Sequence, residues 1–239
     1  MTGRIDVHSH LLPGVDDGCK TLEESLACAR VLVENGYTNS FCTPHIWASH
    51  PANNVTNIPR MTATLQNHLD ANGIALKLSP GGEINIQPDI FRTDADEVVT
   101  YAMARKYALI DLWAAELPDF FTTNVKWLQS LGLTVILAHP ERMRAIQDKP
   151  DLADDLAGMH VLLQGNLQCF ADPPRSHTRR TAELFLEEDR YFMIGSDLHG
   201  LDTLPIRMEG LKRVTEAVDK AKLRELTWEN PKKLLPQKP

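Results

Sequence analysis

The stretch Ile5-Asp6-Val7-His8-Ser9-His10 decides how the rest of the chain is read. It alternates apolar and polar residues, then breaks into Leu11-Leu12-Pro13-Gly14, the pattern of a short buried strand running into a loop. His8 and His10, with one residue between them, fall where that strand ends, so both imidazoles can turn toward one point at its mouth. Imidazole is the commonest metal-binding side chain. The expectation is that later strands supply further ligands from their own ends.

Outward from this start, residues 22–35 carry helical spacing in Leu22, Leu26, Ala29 and Val33. Thr21 is a fitting N-cap with Glu24 three residues on, and Gly36 a fitting stop. Further strands are expected over 39–43, 75–79, 107–112, 133–138, 160–163 and 191–194. Further helices are expected over 60–71, 122–131, 151–156, 178–188, 207–220 and 222–227. Residues 46–58 read as a polar loop and 84–101 as irregular. Strand then helix, repeated about seven times, gives parallel strands with helices outside, in a barrel or an open sheet. Runs such as Thr134-Val135-Ile136-Leu137-Ala138 suit strands buried on both faces. No repeat, low-complexity tract or linker interrupts the pattern, so residues 1–239 are read as one domain.

Lysine and arginine number 25 against 32 aspartates and glutamates, a net charge of -7. That argues against bulk affinity for nucleic acid or an anionic membrane surface. No apolar run reaches the length of a membrane span, and the start lacks a signal peptide's apolar core. Cys19, Cys28, Cys42 and Cys169 show no Cys-x-x-Cys spacing and are read as reduced thiols of a cytoplasmic protein.

In barrels of this kind, function sits at the C-terminal ends of the strands. There the sequence places His8 and His10, with Asp16 and Asp17 in the following loop, then His45, Glu83, Asp111, His139, and finally Asp197 and His199. Each alone is weak evidence, since a lone histidine is more often packing or surface. The joint pattern is not: His-x-His after the first strand and Asp-x-His after the last become neighbours once a barrel closes. His50, His68, His160 and His177 take the plain surface or packing reading. Trp47, beside His45, either lines the mouth or packs at its rim.

The stretches IDVHSHLLPGVDDG (5–18), TPH (43–45), GGE (81–83), YALID (107–111), AHPER (138–142) and GSDLHGLD (195–202) resemble the polymerase-and-histidinol-phosphatase family. Within it they most resemble the bacterial capsule-type tyrosine-protein phosphatases. The resemblance implies a distorted seven-stranded β/α barrel, TIM-like, with three divalent metal ions. Manganese is favoured, with iron(II), zinc or magnesium as alternatives. By position, one metal site would use His8, His10, Glu83 and Asp197. A second would share Glu83 and add Asp111 and His139. A third would use Asp17, His45 and His199. Asp111 stands where relatives often carry a longer glutamate, with Glu116 as the fallback ligand. Met143 replaces a frequent tyrosine, and Leu204 stands where close relatives can carry an arginine.

Three such ions against four carboxylates leave about two positive charges, which suits a nearly dianionic phosphate monoester. Metal ions also activate water to hydroxide as the nucleophile. Arg142 is the expected phosphate clamp, with Arg207 as a weaker second, because guanidinium binds phosphate bidentately. The alternative for Arg142 is a surface ion pair with Glu141. Arg142, Asp197 and His199 are expected to carry catalysis. The substrate implied is a phosphotyrosine protein, with a bacterial tyrosine kinase tail in polysaccharide export as the partner. Rival readings are a small-molecule phosphatase, such as one for histidinol phosphate; an amidohydrolase-type enzyme, whose barrel also opens with His-x-His; and a non-catalytic metal-binding module.

A second phosphatase signal, Cys169-x5-Arg175-Ser176, is set aside. Such a loop aims backbone N–H groups at phosphate, yet Pro173 and Pro174 have none, no glycine intervenes, and Asp172 would repel the substrate.

Overall fold

The strands of this molecule pair in parallel throughout. A computed structural model describes residues 3–236. Its strands are β1 (Arg4–Asp6), β2 (Tyr37–Cys42), β3 (His45–Ile46), β4 (Lys77–Pro80), β5 (Glu83–Asn85), β6 (Tyr107–Asp111), β7 (Thr134–Ala138), β8 (Leu162–Asn166) and β9 (Met193–Gly195). Its helices are α1 (Leu22–Glu34), α2 (Asn57–Ala71), α3 (Asp119–Ser130), α4 (Arg144–Asp148), α5 (Leu152–Gly158), α6 (Leu167–Ala171), α7 (His177–Glu187), α8 (Leu204–Ala217) and α9 (Lys220–Arg224).

The strands fall into two ladders, β1-β2-β4 and β3-β5-β6-β7-β8-β9. β3 continues the line of β2, and β5 that of β4. Phe41 pairs with Ser79 and His45 with Glu83, so the offset between partners is unchanged across the break. Pro44, which has no N–H, and Gly81-Gly82 interrupt both strands at the same level. The Glu83 N–H donates to Pro44 O there, at 3.1 Å. Nine segments thus make the seven staves expected. The ring is drawn shut beyond β1, where Ser9 bridges to Leu198. The Asp197 N–H donates to His8 O at 2.8 Å, and the His10 N–H to Leu198 O at 2.9 Å. The result is a distorted, barrel-like α/β fold.

Two apolar layers hold it. Inside the ring lie Ile5, Val7, Phe41, Leu109, Ile136, Ala138 and Met193, with Tyr101 and Leu234 among them. Tyr101 comes from the irregular 84–101 segment, stands edge-on to Phe41 and donates its hydroxyl to Val7 O at 2.9 Å. The larger layer, including Leu32, Leu65, Val125, Leu137, Phe185 and Leu211, joins strands to helices. Each such buried side chain contributes roughly 1.5–3 kcal/mol.

Several boundaries move. α2 begins three residues before the expected 60, because the Asn54 side chain accepts from the N–H groups of Thr56 and Asn57 and nucleates the turn early. The eighth strand segment runs later than 160–163: His160 takes a left-handed φ of 58° and ends the preceding turn. Gln164 and Asn166 therefore belong to β8. Short α4 and α6 were not expected from spacing, since five residues are too few to show a period. The last expected helix is α9 followed by a wider π turn over Glu225–Glu229. No helix among the described residues is long and apolar enough to cross a membrane.

Candidate metal centre

The seam between β1 and β9 carries the centre. Gly195 lets the strands meet, because a Cβ there would stand 2.8 Å from the His8 Cβ. Asp6, fully buried, accepts from the Ser196 N–H at 2.8 Å and the Ser196 hydroxyl at 2.5 Å, fixing the residue before Asp197. Asp197 itself has φ 52° and His139 φ 35°, left-handed conformations that cost a non-glycine residue about 1–3 kcal/mol each. In both cases the turned backbone delivers the side chain to the mouth.

Each histidine of the seam is held from behind. His8 Nδ1 lies 2.8 Å from Gln164 Oε1, and His10 Nδ1 lies 2.7 Å from Asp16 Oδ2. Both oxygens can only accept, so Nδ1 carries a proton and Nε2 is the nitrogen facing inward, where either a proton or a cation can sit. Asp16 also accepts from the N–H groups of Gly18 and His45, and these partners with His10 hold it at about 2 despite burial. The ring of His199 is set likewise, its Nδ1 donating to Asp197 O at 2.8 Å.

Four donors then face one another. His8 Nε2 is 3.3 Å from His10 Nε2, 3.5 Å from Glu83 Oε2 and 3.4 Å from Asp197 Oδ1. His10 Nε2 is 3.5 Å from each of the same two oxygens. A tetrahedral cation with bonds of about 2.0–2.2 Å has ligand edges of about 3.3–3.6 Å. The spacing of His8 and His10 from each other and from the two carboxylate oxygens is on that scale. Asp197 Oδ1 and Asp111 Oδ2 are buried without a hydrogen-bond partner, and Glu83 Oε2 and His45 Nδ1 meet at 2.8 Å without hydrogen-bond geometry, an arrangement that a cation would satisfy. Nitrogen and carboxylate donors without thiolate suit manganese, iron(II), zinc or magnesium. The residues fit the ions that the resemblance implies.

Three clusters result: His8, His10 and Asp197; His8, Glu83 and His139; and His10, Asp17, His45 and His199. Asp17 Oδ1 stands 3.3 Å from both His45 Nε2 and His199 Nε2. Glu83 Oε1 meets His139 Nε2 at 2.9 Å, while Oε2 lies 2.8 Å from His45 Nδ1. Glu83 thus bridges His139 on one side and His45, His8 and His10 on the other, while His8 and His10 each belong to two clusters.

Charge explains how these groups coexist. Burial pulls the imidazoles down, yet neighbouring carboxylates outweigh it: Asp16 and Asp197 hold His10 well above the usual range. Asp17 and Glu83 hold His45 at about 9, and Glu83 with Asp111 holds His139 at about 9. Burial would raise Glu83 and Asp197, but the surrounding histidines keep both well below the ordinary carboxylate range. Protons on imidazole do here what a bound cation would do, so metal and proton compete for the same cage.

Most expected residues come together, and some take other places. Asp111 is the exception among the ligands. Its Oδ1 lies 4.0 Å from His139 Nδ1, the nitrogen facing away from Glu83, and it joins none of the three clusters. Burial and the Glu83 charge push it up to about 6. Glu116 is no substitute, being exposed in the loop after β6 and outside every cluster. Arg142 does not pair with Glu141. It donates to Asp197 Oδ2 at 3.1 Å, while buried Glu141 accepts from the Asn166 N–H and the Tyr191 hydroxyl. Arg207 is buried, donating through Nε to Asp197 O and through Nη1 to Thr203 O, so it props Asp197 from beneath. Cys169 is buried in α6 with its thiol pushed up by burial, and Arg175 is exposed.

Sequence reasoning gave no role to Gln164 and Asn166. The Asn166 amide donates to Asp197 Oδ2 at 2.6 Å. The signal was present: polar residues at alternate positions closing a buried strand, Gln164-Gly165-Asn166, as in the His-x-His stretch. Trp47 lies flat on His45, ring centroids 4.1 Å apart.

A family model described as capsular polysaccharide synthesis, CpsB/CapC, matches residues 4–236. The chain belongs to the CpsB/CapC family. Within this family it is 26% identical over 235 residues to the tyrosine-protein phosphatase YwqE of Bacillus subtilis, covering 97% of this chain and 91% of that one. It is 28% identical over 244 residues to the tyrosine-protein phosphatase CpsB of Streptococcus pneumoniae, covering 97% and 98%. A solved chain from crystal structures of YwqE and CpsB, called unique metal-dependent tyrosine phosphatases, superposes with a TM-score of 0.79 at 25% identity, covering 93% and 95%.

Proposed function

We propose that this CpsB/CapC-family chain, acting as one domain, is a metal-dependent phosphomonoester hydrolase whose substrate is phosphotyrosine in protein. The carrying observation is that His8 Nε2 and His10 Nε2, 3.3 Å apart, each lie 3.4–3.5 Å from Glu83 Oε2 and Asp197 Oδ1, beside Arg142. Divalent ions held there supply an activated water and positive charge for phosphoryl oxygens. The chain's own residues supply the rest. Arg142, with its side chain 44% exposed, can exchange its Asp197 contact for a bidentate grip on phosphate. Asn166 stays on Asp197 Oδ2 when Arg142 leaves, so the carboxylate keeps its aim. His199 and Asp17 line the open side, where the ester enters. A tyrosine oxygen has a pKa of about 10 and needs less acid assistance to leave than an alkoxide.

An open mouth favours a protein substrate over histidinol phosphate: the Asp17 side chain is 62% exposed at its edge. The family's link to capsular polysaccharide synthesis supports a tyrosine kinase tail as the partner. Four free, buried cysteines support a reducing, cytoplasmic setting.

The test is hydrolysis of a phosphotyrosyl peptide and of histidinol phosphate, with added manganese and with chelator. We expect the peptide to be preferred, chelation to abolish turnover, and Cys169→Ser to leave it intact. Turnover that survives exhaustive chelation would sink the reading.

A further inference from the structure

Past β6 the chain turns along the rim as Leu112-Trp113-Ala114. Leu112 is buried, but Trp113 is 66% exposed, more than any other large apolar side chain among the described residues. Leaving an indole in water forfeits the largest apolar burial a side chain can make, so its surroundings matter. Trp113 is not loose. It stands edge-to-face on Trp47, with centroids 5.9 Å apart and planes at 83°. Trp47 in turn lies on His45 at 27°, and His45 approaches Glu83 at 2.8 Å. Two indoles are therefore built onto the metal cage from one side.

The other side of Trp113 faces a cleft of about 210 Å³, lined also by Leu112, Met143, His139, Arg142 and Arg144. One end of this cleft is cationic and touches the centre, since Arg142 reaches Asp197 Oδ2 at 3.1 Å. Asp111 and Arg144 also line it, and its apolar wall is Leu112, Trp113, Ala114 and Met143. A dianionic group at the Arg142 end would place whatever is esterified to it against the indole and the Met143 thioether. Flat rings gain from both contacts, through edge or offset stacking on indole and sulfur against the ring. A short alkyl ester would leave the indole untouched.

We propose that Trp113, braced by Trp47, is the specificity-determining wall that selects aromatic over alkyl phosphoesters. The inference rests on the phosphatase reading and names the feature that makes the site prefer tyrosyl substrates. Trp113 is a positioning residue that meets the leaving group and takes no part in bond making.

The test measures competitive inhibition of para-nitrophenyl phosphate hydrolysis by phenylphosphonate and by methylphosphonate. It compares the unaltered manganese-loaded protein with Trp113→Ala and Trp113→Phe. Trp113→Ala should weaken phenylphosphonate about tenfold and methylphosphonate less than about twofold, as expected for one lost aromatic contact. Trp113→Phe should keep most of the preference, and manganese content should be the same in all three. Equal weakening of both inhibitors, or an unchanged phenyl preference in Trp113→Ala, overturns the proposal and leaves the phosphatase reading standing. Absence of hydrolysis by the unaltered, metal-loaded protein overturns that reading, and the proposal with it.

Discussion

On the flank where β1 meets β9, every donor has a partner behind it: Gln164 for His8, Asp16 for His10, and Asn166 and Arg142 for Asp197. Across the centre, on β6, Asp111 has one oxygen without a partner and the other 4.0 Å from the wrong nitrogen of His139. Both flanks are buried and both end parallel strands, so burial and topology do not distinguish them. The difference is orientation. A donor fixed by a second hydrogen bond loses little freedom when a cation binds, whereas one that must still move loses more. The β1–β9 flank should therefore bind metal tightly and the β6 flank weakly.

The most severe way to test the contrast is at the residue both flanks share. Glu83→Gln should lower turnover by about 10³-fold or more, a loss on the scale of removing an essential electrostatic stabiliser. Metal content should fall on both flanks, and normal content would show that Glu83 does not link them. Next in size is the support behind a single ligand. Gln164→Ala should weaken metal binding or activity by about 10–100-fold, the usual effect of removing a ligand's orienting partner. If the β1–β9 flank is rigid for other reasons, isothermal titration with manganese will find no change.

Protons sharpen the comparison further. In chelated protein, His45 and His139 stand at about 9, against about 6.5 in an unfolded chain. A raised imidazole pKa stabilises the fold fully below about pH 6.5, and that contribution is lost as pH rises through about 9. The melting temperature of the chelated protein should therefore fall across this window, while the gain on adding manganese should grow. A flat profile for the chelated protein would mean that the histidines are neutral without metal.

The smallest effect is expected at Asp111. Asp111→Ala should leave two tightly held ions per chain and cost less than about tenfold in activity, below the cost of losing a well-oriented group. Asp111→Glu, reaching farther, should strengthen the weak site. Equal loss of all metal in Asp111→Ala would erase the distinction between the flanks.

Strand ends, and hence the histidines and carboxylates they carry, were legible because alternation and apolar runs report burial along one local direction. Glu83, His139 and Asp197 could each be placed at the mouth this way. Gln164 and Asn166 were not, because β8 runs later than its apolar stretch alone suggests. Arg142 stayed ambiguous between Glu141 and phosphate until the fold buried Glu141 under Tyr191 and β8. Trp113 could not be told from a packed residue, since exposure at a rim has no periodic mark.

By itself, then, the chain's order of residues determined parallel staves, their number and which chemistry stands at each end, because hydrophobic period and strand length are local properties. Only the closed ring decided which nitrogen of each imidazole faces inward, that Asp111 falls short, and that Arg207 works from beneath. Those depend on distances between groups far apart in sequence. Tenths of an ångström in such distances separate a ligand from a neighbour.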